Sequence, residues 1–330
     1  MTTRVLIYTG WPVNAWRIPK EQVDRLRGLR PDLDIRFTYD PAEAAKMIVD
    51  VDLGMIPFMK PEILAQAKNL RWVHSSAAAV GDLLPLDELA RRGIVVTNSR
   101  GVQAIPMAEQ VMAGLLALGR RLDLAIVAQK ERRWIQEQLG EVDRPTVLHG
   151  KRMAIVGLGT IGEAVAVRAH AFGMSVVGVR RRPDREKPSF VERVVGPERL
   201  NDALRGADVL VIAAPLVAGT AKAIGAEQLA LLNRGAVLAN VGRAQIVDTT
   251  AMIRALESGQ LGGAVLDVFD KEPLDPASPL WPMPNVIVTP HSAGFRAEHW
   301  AEIVDLFAEN LERWERKKPL MNVVDLEAGY

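Results

Sequence analysis

Short apolar runs alternate with stretches of helical periodicity along most of the chain. Most of these runs are apolar throughout, a pattern typical of parallel strands that are buried on both faces. The runs predict strands at residues 5–8, 53–57, 70–74, 94–97, 153–156, 176–179, 209–213, 236–240, 264–268 and 286–289. The stretches between them predict helices at residues 20–29, 61–67, 86–92, 162–172, 198–204, 227–232 and 249–258. Strands and helices that alternate in this order indicate a doubly wound α/β fold.

Two longer helical stretches differ from this alternation. The first covers residues 106–132 and has no strand close behind it; a polar, irregular segment, 134–149, follows. We interpret the helix as a bridge between two domains and the segment as a connection over the surface. The second long helix covers residues 297–316, and the tail 319–330 is expected to be extended.

Length, charge and composition narrow the class of protein. A chain of 330 residues usually exceeds a single core, so we expect two domains. The 41 Lys and Arg residues against 40 Asp and Glu residues give a formal net charge of +1, which argues against a broad nucleic-acid-binding surface. The chain has no cysteine, which excludes disulfides, thiolate metal sites and a cysteine nucleophile. No pair among the 5 histidines has the spacing of a helical metal site, so we expect no metal.

The sequence also lacks the patterns of export and membrane insertion. The apolar run at the N-terminus is too short for a signal peptide. The most apolar helix is interrupted by Glu109 and Gln110. It falls short of the roughly 18 apolar residues that a membrane span requires. We therefore expect a cytoplasmic protein that does not bind membranes.

A glycine-rich turn follows the predicted strand 153–156 and leads into a helix. The turn consists of Gly157, Leu158, Gly159, Thr160, Ile161 and Gly162. This is the G-x-G-x-x-G pattern in the strand–turn–helix context of dinucleotide-binding proteins. The first glycine allows the tight turn, the second lets a diphosphate approach the backbone, and the third lets the helix pack on the strand. N–H groups at the helix N-terminus then face the phosphates. The alternative is that the glycines only mark a turn.

Three arginines follow the next predicted strand. An NAD-specific protein usually has an acidic residue here, which binds the ribose 2′-hydroxyl. This chain instead has Arg180, Arg181 and Arg182, and Asp184 comes too late to fill the position. Guanidinium groups bind phosphate through charge-assisted, bidentate hydrogen bonds. The sequence therefore predicts a preference for NADP(H), with NAD(H) left open as a second cofactor. The alternative is an ordinary solvated basic turn.

Arg243, Glu272 and His291 each come shortly after one of the later predicted strands. Because open α/β sheets bind ligands at the carboxyl ends of their strands, we expect these side chains to point toward the cofactor. Hydride addition to a keto acid needs a proton donor that works near neutral pH, as histidine does, and a cation that grips the carboxylate, as arginine does. Glu272 would favour the imidazolium form and fix its tautomer. Taken singly, each residue also has an ordinary explanation as a surface charge, a loop residue or a structural hydrogen-bond donor.

Together and in this order, the motifs resemble the D-isomer-specific 2-hydroxyacid dehydrogenase family. The resemblance covers residues 94–294 and is weaker outside them. The segments that carry it are the glycine turn 157–162, Asn240-Val-Gly-Arg243, the acidic segment 267–273, Thr289-Pro-His291, and Pro106-Met-Ala-Glu109 at the start of the bridging helix.

The resemblance implies a fold and a reaction. A Rossmann-like cofactor domain at 103–294 would be inserted into a flavodoxin-like substrate domain made of 1–102 and 295–330, and the protein would form a homodimer around the bridging helices. Arg243 would bind the substrate carboxylate, and His291, paired with Glu272, would be the general acid/base. The reaction would be the reduction of a 2-keto acid to a D-2-hydroxy acid. Glyoxylate and hydroxypyruvate fit as substrates, and larger 2-keto acids are equally allowed.

Further residues are assigned to the two binding sites. The resemblance implies that the cofactor site would also include Ala214, Pro215, Thr220, Val241, Gly242, Asp267, Ser292 and Gly294. The substrate site includes, besides Arg243 and His291, the residues Ser76, Ala78 and Ala79, which correspond to the family's glycine-containing carboxylate loop. The sequence departs from the family here, with Ala79 in place of a glycine and Gly81 in place of an aspartate. Since alanine disfavours a positive φ, the loop could have a different shape or be a plain surface turn.

Two other functions are compatible with the fold. A dinucleotide-sensing, co-repressor-like interaction protein needs only the cofactor loop, so the joint presence of Arg243, Glu272 and His291 argues against it. A formate-type dehydrogenase tends to have glutamine in place of the glutamate. Glu272 therefore argues against formate as the substrate, and less firmly against phosphite.

Overall fold

The computed structural model describes residues 2–81, 83–217, 219–327 and 329. The chain forms two compact units, one made of Met1–Gln103 with Phe295–Tyr330 and the other of Ala104–Gly294. We call the first the split unit and the second the inserted unit. Each has its own parallel sheet with helices, which confirms the predicted class of two parallel-sheet α/β domains.

In the described part of the chain, all pairs of neighbouring strands are parallel. In the split unit the sheet order is β2-β1-β3-β4-β5, and in the inserted unit it is β12-β11-β10-β9-β6-β7-β8. The strands are β1 Arg4–Tyr8, β2 Asp34–Thr38, β3 Leu53–Met55, β4 Trp72–Ser75, β5 Val95–Asn98, β6 Arg152–Val156, β7 Ser175–Val179, β8 Arg193–Val195, β9 Val209–Ile212, β10 Ala236–Asn240, β11 Leu261–Leu266 and β12 Val286–Val288.

Most of the helices connect successive strands, as parallel pairing requires. They are α1 Lys20–Leu29, α2 Pro41–Met47, α3 Pro61–Gln66, α4 Leu86–Arg91, α5 Ala104–Gly119, α6 Leu122–Lys130, α7 Gln136–Glu141, α8 Thr160–Ala171, α9 Leu200–Leu204, α10 Ala226–Ala230, α11 Thr249–Glu257 and α12 His299–Glu315.

The central strands of both sheets are buried on two faces. In β1, Leu6 and Tyr8 belong to one apolar cluster of the split unit, whereas Val5 and Ile7 belong to another. In β6 of the inserted unit, the side chains from Met153 to Val156 alternate between two clusters in the same way. Because successive side chains of a strand point to opposite faces, a strand covered on both sides has to be apolar throughout.

In the sheet of the inserted unit, the order in which successive strands are added reverses at β6. The strands β7 and β8 lie on one side of it, and β9 to β12 lie on the other. In open α/β sheets, such a switch point leaves a crevice at the carboxyl ends of the two diverging strands. The glycine-rich turn follows β6 directly, so the fold puts it at this crevice.

The predicted continuous helix over 106–132 is wrong. Helix α5 ends at Gly119, and α6 starts at Leu122. Between them Arg121 has φ 57°, a left-handed conformation that breaks a right-handed helix. The segment 134–149, expected to be irregular, contains the short helix α7.

The sequence analysis missed three further elements whose patterns are short or mixed. Strand β2 lies at the sheet edge and alternates apolar residues with Asp34 and Arg36, so it lacks the continuous apolar pattern of the other strands. Strand β8 is also an edge strand and has only 3 residues. Helix α2 is short but well capped, since the Asp40 side chain accepts hydrogen bonds from the N–H groups of Ala42 and Glu43.

Candidate active site

The glycine-rich turn between β6 and α8 contains two glycines that packing requires. Gly157 has φ 100°, and a Cβ there would lie 2.4 Å from the backbone nitrogen of Ala214. A Cβ on Gly162 would lie 2.3 Å from the carbonyl oxygen of Gly157. Both contacts are shorter than real Cβ atoms make. The fold alone therefore explains these two glycines.

Gly159 is different, because neither packing nor conformation requires a glycine there. Its φ of −105° is open to any residue, and a Cβ would have no atom within 4 Å. Gly159 directly precedes the first turn of α8, whose N–H groups have no partner within the helix. The absent side chain therefore leaves open space beside a cluster of backbone donors. These features fit the diphosphate of a dinucleotide, which would be held by the N–H groups of Thr160, Ile161 and Gly162.

The loops after β9 and β10 pack against this turn. Ala214 contacts Gly157, and a Cβ on Gly242 would lie 2.7 Å from the carbonyl oxygen of Ala214. The hydroxyl of Thr220 donates to the carbonyl oxygen of Val217 at 2.8 Å and accepts from its N–H at 2.8 Å, so it closes the loop that starts with Pro215. The structure thus brings together several of the predicted cofactor residues. Two further predicted cofactor residues, Leu158 and Val241, have buried side chains in the apolar core of the inserted unit.

The three arginines after β7 have different surroundings. Arg180 donates to the carbonyl oxygens of Arg182, Arg185 and Glu186, and its guanidinium lies 3.7 Å from the carboxylate of Glu163. Its side chain is only 11% exposed. The side chains of Arg181 and Arg182 are exposed. In this structure Arg180 therefore shapes the turn, whereas Arg181 and Arg182 extend to the surface.

Arg243 follows β10 in a turn that Asn240 organises. The buried Asn240 accepts from the N–H of Gly242 at 3.0 Å and donates to the carbonyl oxygen of Arg243 at 3.2 Å. The guanidinium of Arg243 donates to the carbonyl oxygen of Gly242 at 2.8 Å. The sequence analysis did not assign a role to Asn240; the signal was a carboxamide at the end of an otherwise apolar strand.

Asp267 holds the segment that carries the candidate acid. Its carboxylate is 2% exposed and accepts from the Thr289 hydroxyl at 2.5 Å and from the N–H groups of Ser292 at 2.9 Å and Ala293 at 3.0 Å. Its carbonyl oxygen accepts from the N–H of His291 at 3.0 Å. The predicted cofactor residues Asp267 and Ser292 are therefore in direct contact. Thr289 was missed as a site residue, although it stands within the recognised motif.

His291 and Glu272 form the hydrogen-bonded pair that the sequence predicts. The Nδ1 atom of His291 lies 2.7 Å from Oε2 of Glu272, and the N–H of Phe269 donates to Oε1 at 2.9 Å. Because a carboxylate only accepts, Nδ1 carries a proton and Nε2 is the ring nitrogen left to exchange one. The His291 side chain is 48% exposed, and its backbone has φ 51°. Such a left-handed conformation is uncommon outside glycine and often occurs at functional sites.

The predicted substrate loop lies in the split unit, directly after β4. Ser76 is buried, and Ala78 and Ala79 are partly buried. None of these three residues has a positive φ, so the alanine at position 79 fits its backbone without strain. The N–H of Ala77 donates to the hydroxyl of Ser75 at 3.2 Å, and the side chain of Asn98 donates to the carbonyl oxygen of Ala78 at 2.7 Å.

Two other histidines are buried in the split unit. Burial lowers the pKa of His74 to about 3. Burial and the charge of Arg296 lower the pKa of His299 to about 4. Both side chains are therefore neutral near pH 7, and neither has the acidic partner that distinguishes His291.

A cavity of about 360 Å³ in the inserted unit lies beside the segment that carries Glu272. It is lined largely by apolar side chains, including Met252, Leu266, Phe269 and Leu280, but not by Arg243, Glu272 or His291. Within the described ranges, no cluster of three or more His, Asp or Glu side chains is arranged to hold a metal ion. No helix in the described part of the chain is long and apolar enough to cross a membrane.

Comparison with known proteins identifies the family. A model of the NAD-binding domain of D-isomer specific 2-hydroxyacid dehydrogenases matches residues 112–293. A glyoxylate reductase of Aeropyrum pernix is 36% identical over 271 residues, which are 81% of this chain and 79% of that protein. The chain belongs to the D-isomer specific 2-hydroxyacid dehydrogenase family.

Solved structures of family members have the same fold. A D-isomer specific 2-hydroxyacid dehydrogenase family protein from Aeromonas salmonicida is 32% identical with a TM-score of 0.82, covering 98% of this chain and 99% of that one. An NADPH-dependent glyoxylate/hydroxypyruvate reductase from Sinorhizobium meliloti, solved with NADP and sulfate, is 26% identical with a TM-score of 0.81, covering 100% of both chains. The resemblance seen in the sequence is confirmed, and the chain is an oxidoreductase of the 2-hydroxyacid dehydrogenase class with an NAD-binding domain.

Substitutions can distinguish a role of Gly159 in cofactor binding from a role of Gly162 in folding. Gly159→Ala should weaken NADPH binding about tenfold, or ~1.4 kcal/mol, because its methyl group would occupy the space of the diphosphate. Folding stability should change by less than about 0.5 kcal/mol, since that methyl group meets no protein atom. Fluorescence titration with NADPH and urea denaturation measure the two effects.

Gly162→Ala is the matched control. Its Cβ would meet the carbonyl oxygen of Gly157 at 2.3 Å, so it should lower the free energy of unfolding by about 1–3 kcal/mol. Unchanged NADPH affinity in Gly159→Ala would contradict the assignment of this turn to the cofactor.

Proposed function

We propose that the chain is an NADP(H)-preferring reductase that converts small 2-keto acids to D-2-hydroxy acids. The observation that carries this proposal is the Glu272–His291 hydrogen bond of 2.7 Å in the same unit as the glycine turn. A dinucleotide sensor needs the turn but has no use for a paired, half-exposed histidine held in a left-handed conformation. The similarity to glyoxylate reductases supports glyoxylate as the first substrate to test.

The proposed chemistry assigns one task to each residue. When bound, the nicotinamide supplies the hydride. His291 donates the proton to the former carbonyl oxygen through Nε2, because Nδ1 is held by Glu272. The carboxylate of Glu272 stabilises the imidazolium before the proton is transferred. Arg243 binds the carboxylate of the substrate through its guanidinium group. The loop Ser76–Ala79 is proposed to bind a carboxylate through its backbone N–H groups.

Steady-state kinetics with a panel of keto acids tests the function. The wild-type protein should oxidise NADPH with glyoxylate or hydroxypyruvate, and His291→Gln should lower kcat about 10²–10⁴-fold because the proton donor is lost. NADPH affinity should be retained in this variant. The control is His170→Gln, which changes an exposed histidine of α8 and should leave kcat unchanged.

The same panel decides between the alternatives. NADPH binding without turnover of any keto acid would favour a sensing protein. Reduction of NADP+ with phosphite or formate as the donor would favour the other dehydrogenase class. Full activity of His291→Gln would contradict the proposed acid.

The preference for NADP(H) is proposed to depend on Arg181 and Arg182. Both side chains extend to the surface at the carboxyl end of β7, where the 2′-phosphate of the cofactor would lie. Arg180 keeps the turn in shape through its hydrogen bonds to backbone carbonyl oxygens. The NADP-bound relative from Sinorhizobium meliloti supports the same cofactor for this chain.

Replacing both exposed arginines should change the cofactor preference. In the double variant Arg181→Asp, Arg182→Ala, the ratio of NADPH to NADH affinity should fall at least about tenfold, since charge-assisted hydrogen bonds contribute ~1.5–3 kcal/mol each. Arg185→Ala, which removes an exposed charge from the same turn, should leave the ratio unchanged. If the double variant and the wild type have the same ratio of NADPH to NADH affinity, the arginines do not determine the cofactor preference and belong to an ordinary basic turn.

A homodimer is also proposed, on the evidence of several exposed apolar side chains in residues 126–147 of the inserted unit. Ile126 and Val127 of α6 are 53% and 50% exposed, and the segment that follows exposes Trp134 to 90%, Val142 to 78% and Val147 to 58%. Large exposed apolar patches mark protein–protein interfaces, and we infer that these side chains form such a patch.

Light scattering after size exclusion measures the oligomeric state. The wild-type chain, with a mass of 36.2 kDa, should elute as a dimer, and Trp134→Ser with Val142→Ser should shift the population toward the monomer. The control Trp281→Ser removes an exposed tryptophan outside this segment, 51% exposed, and should not affect the mass. A monomeric wild type would refute the proposed dimer.

A further inference from the structure

A continuous chain of hydrogen bonds in the split unit connects the buried core to the start of the predicted substrate loop. Nε1 of Trp72 is 2.8 Å from Oγ1 of Thr97, which is 2.8 Å from Nδ1 of His74. On the other side of the ring, Nε2 of His74 is 3.2 Å from Oγ of Ser99, which is 3.1 Å from the carbonyl oxygen of Ser75. All of these groups are buried, with His74 and Thr97 at 0% exposure.

The two ends of this chain determine the direction of every bond in it. The carbonyl oxygen of Ser75 can only accept, so the single hydroxyl proton of Ser99 points to it. Ser99 must then accept from Nε2–H of His74. A neutral imidazole has one N–H, so Nδ1 accepts from the Thr97 hydroxyl, which itself accepts from the indole of Trp72. His74 is thereby fixed as the neutral Nε2–H tautomer, consistent with the low pKa that burial gives it.

The residues at and beside the Ser75 end of this series of hydrogen bonds hold the loop in place. The N–H of Ser99 donates to the carbonyl oxygen of Ala77 at 3.3 Å, and the neighbouring Asn98 donates to that of Ala78 at 2.7 Å. The hydroxyl of Ser75 accepts from the N–H of Ala77 at 3.2 Å. Hydrogen bonds from Asn98, at the end of β5, and from Ser99 thus hold two carbonyl oxygens of the loop in place. Among the described residues, the N–H groups of Ala78 and Ala79 have no hydrogen-bond partner.

We propose that His74 is a positioning residue, whose Nε2–H orients Ser99 and thereby sets the shape of the loop that binds the substrate carboxylate. The proposal rests on the function assigned above to Ser76–Ala79. His74 does not exchange a proton in the reaction, since both of its nitrogens are paired with buried hydroxyls. Its contribution is to substrate binding, because the loop grips a carboxylate that hydride transfer leaves unchanged.

Two variants of similar size separate orientation from packing. In His74→Gln the side-chain amide can still donate to Ser99 from the position of Nε2, whereas the shorter His74→Asn keeps a polar atom near Thr97 and removes the donor to Ser99. We expect His74→Asn to raise KM for the keto acid about tenfold, in line with the loss of one buried hydrogen bond. In His74→Gln, KM should stay within about threefold of the wild type, since the donor is kept. The value of kcat and the affinity for NADPH should stay unchanged in both.

A purely structural role would lower thermal stability in both variants and leave KM the same in each. Equal KM values for His74→Asn and His74→Gln, or a loss confined to kcat, would therefore overturn the proposal.

A measurement independent of turnover keeps this inference separate from the proposed function. In the ¹⁵N-labelled full-length wild type, the ring nitrogens of His74 should show the shifts of a neutral Nε2–H tautomer that persists down to about pH 5, well above the pKa of about 3. Amide exchange at Ala77 should be faster in His74→Asn than in His74→Gln. If the wild type reduces no keto acid while these signals are observed, the proposed reaction fails and the positioning of the loop stands. An Nδ1–H tautomer would overturn the positioning role whatever the activity.

Discussion

The conformation of the segment that carries His291 depends on the buried carboxylate of Asp267. A carboxylate at 2% exposure has lost its water, and this one regains hydrogen bonds from Thr289, Ser292 and Ala293. These bonds fix the segment that follows β12, in which His291 has φ 51°. A non-glycine residue in that region costs on the order of 1–3 kcal/mol, which the surrounding bonds offset. The carboxylate thus holds the imidazole where Glu272 can reach it.

In the glycine turn, the glycines that the fold requires can be told apart from the one that it does not require. Gly157 and Gly162 are glycines because the backbone of a neighbouring loop or of the turn itself occupies the space of a side chain. Gly159 is bordered by open space. The sequence motif cannot distinguish the reasons for these three glycines, since the residue type is the same at each position. Once the packing is known, Gly159 is the one of the three that packing does not explain.

Much of the fold could be predicted because the central strands are covered on both faces and therefore have continuous apolar sequences. The edge strands β2 and β8 could not, because an edge faces solvent and tolerates residues such as Asp34 and Arg36. The break between α5 and α6 was missed because Arg121 adopts a left-handed conformation without the glycine that usually signals one. The pairing of Glu272 with His291 was predictable because their motifs, taken together and in order, resemble those of the family. The contacts of Asp267 were not, since they join segments whose proximity only the folded chain defines. The role of Arg180 was not predictable either, because its hydrogen bonds to nearby carbonyl oxygens depend on the conformation of the turn itself.

His74 and His291 illustrate how surroundings decide what one kind of side chain does. A carboxylate can only accept a hydrogen bond, so Glu272 fixes one nitrogen of His291 as a donor and leaves the other, on a half-exposed ring, to exchange a proton. A hydroxyl can donate or accept, so Thr97 and Ser99 alone would leave the tautomer of His74 undefined. It becomes defined because the indole of Trp72, which only donates, and the carbonyl of Ser75, which only accepts, end the chain. Full burial then keeps that ring neutral, so one histidine is suited to transfer a proton and the other to hold its proton in a fixed direction.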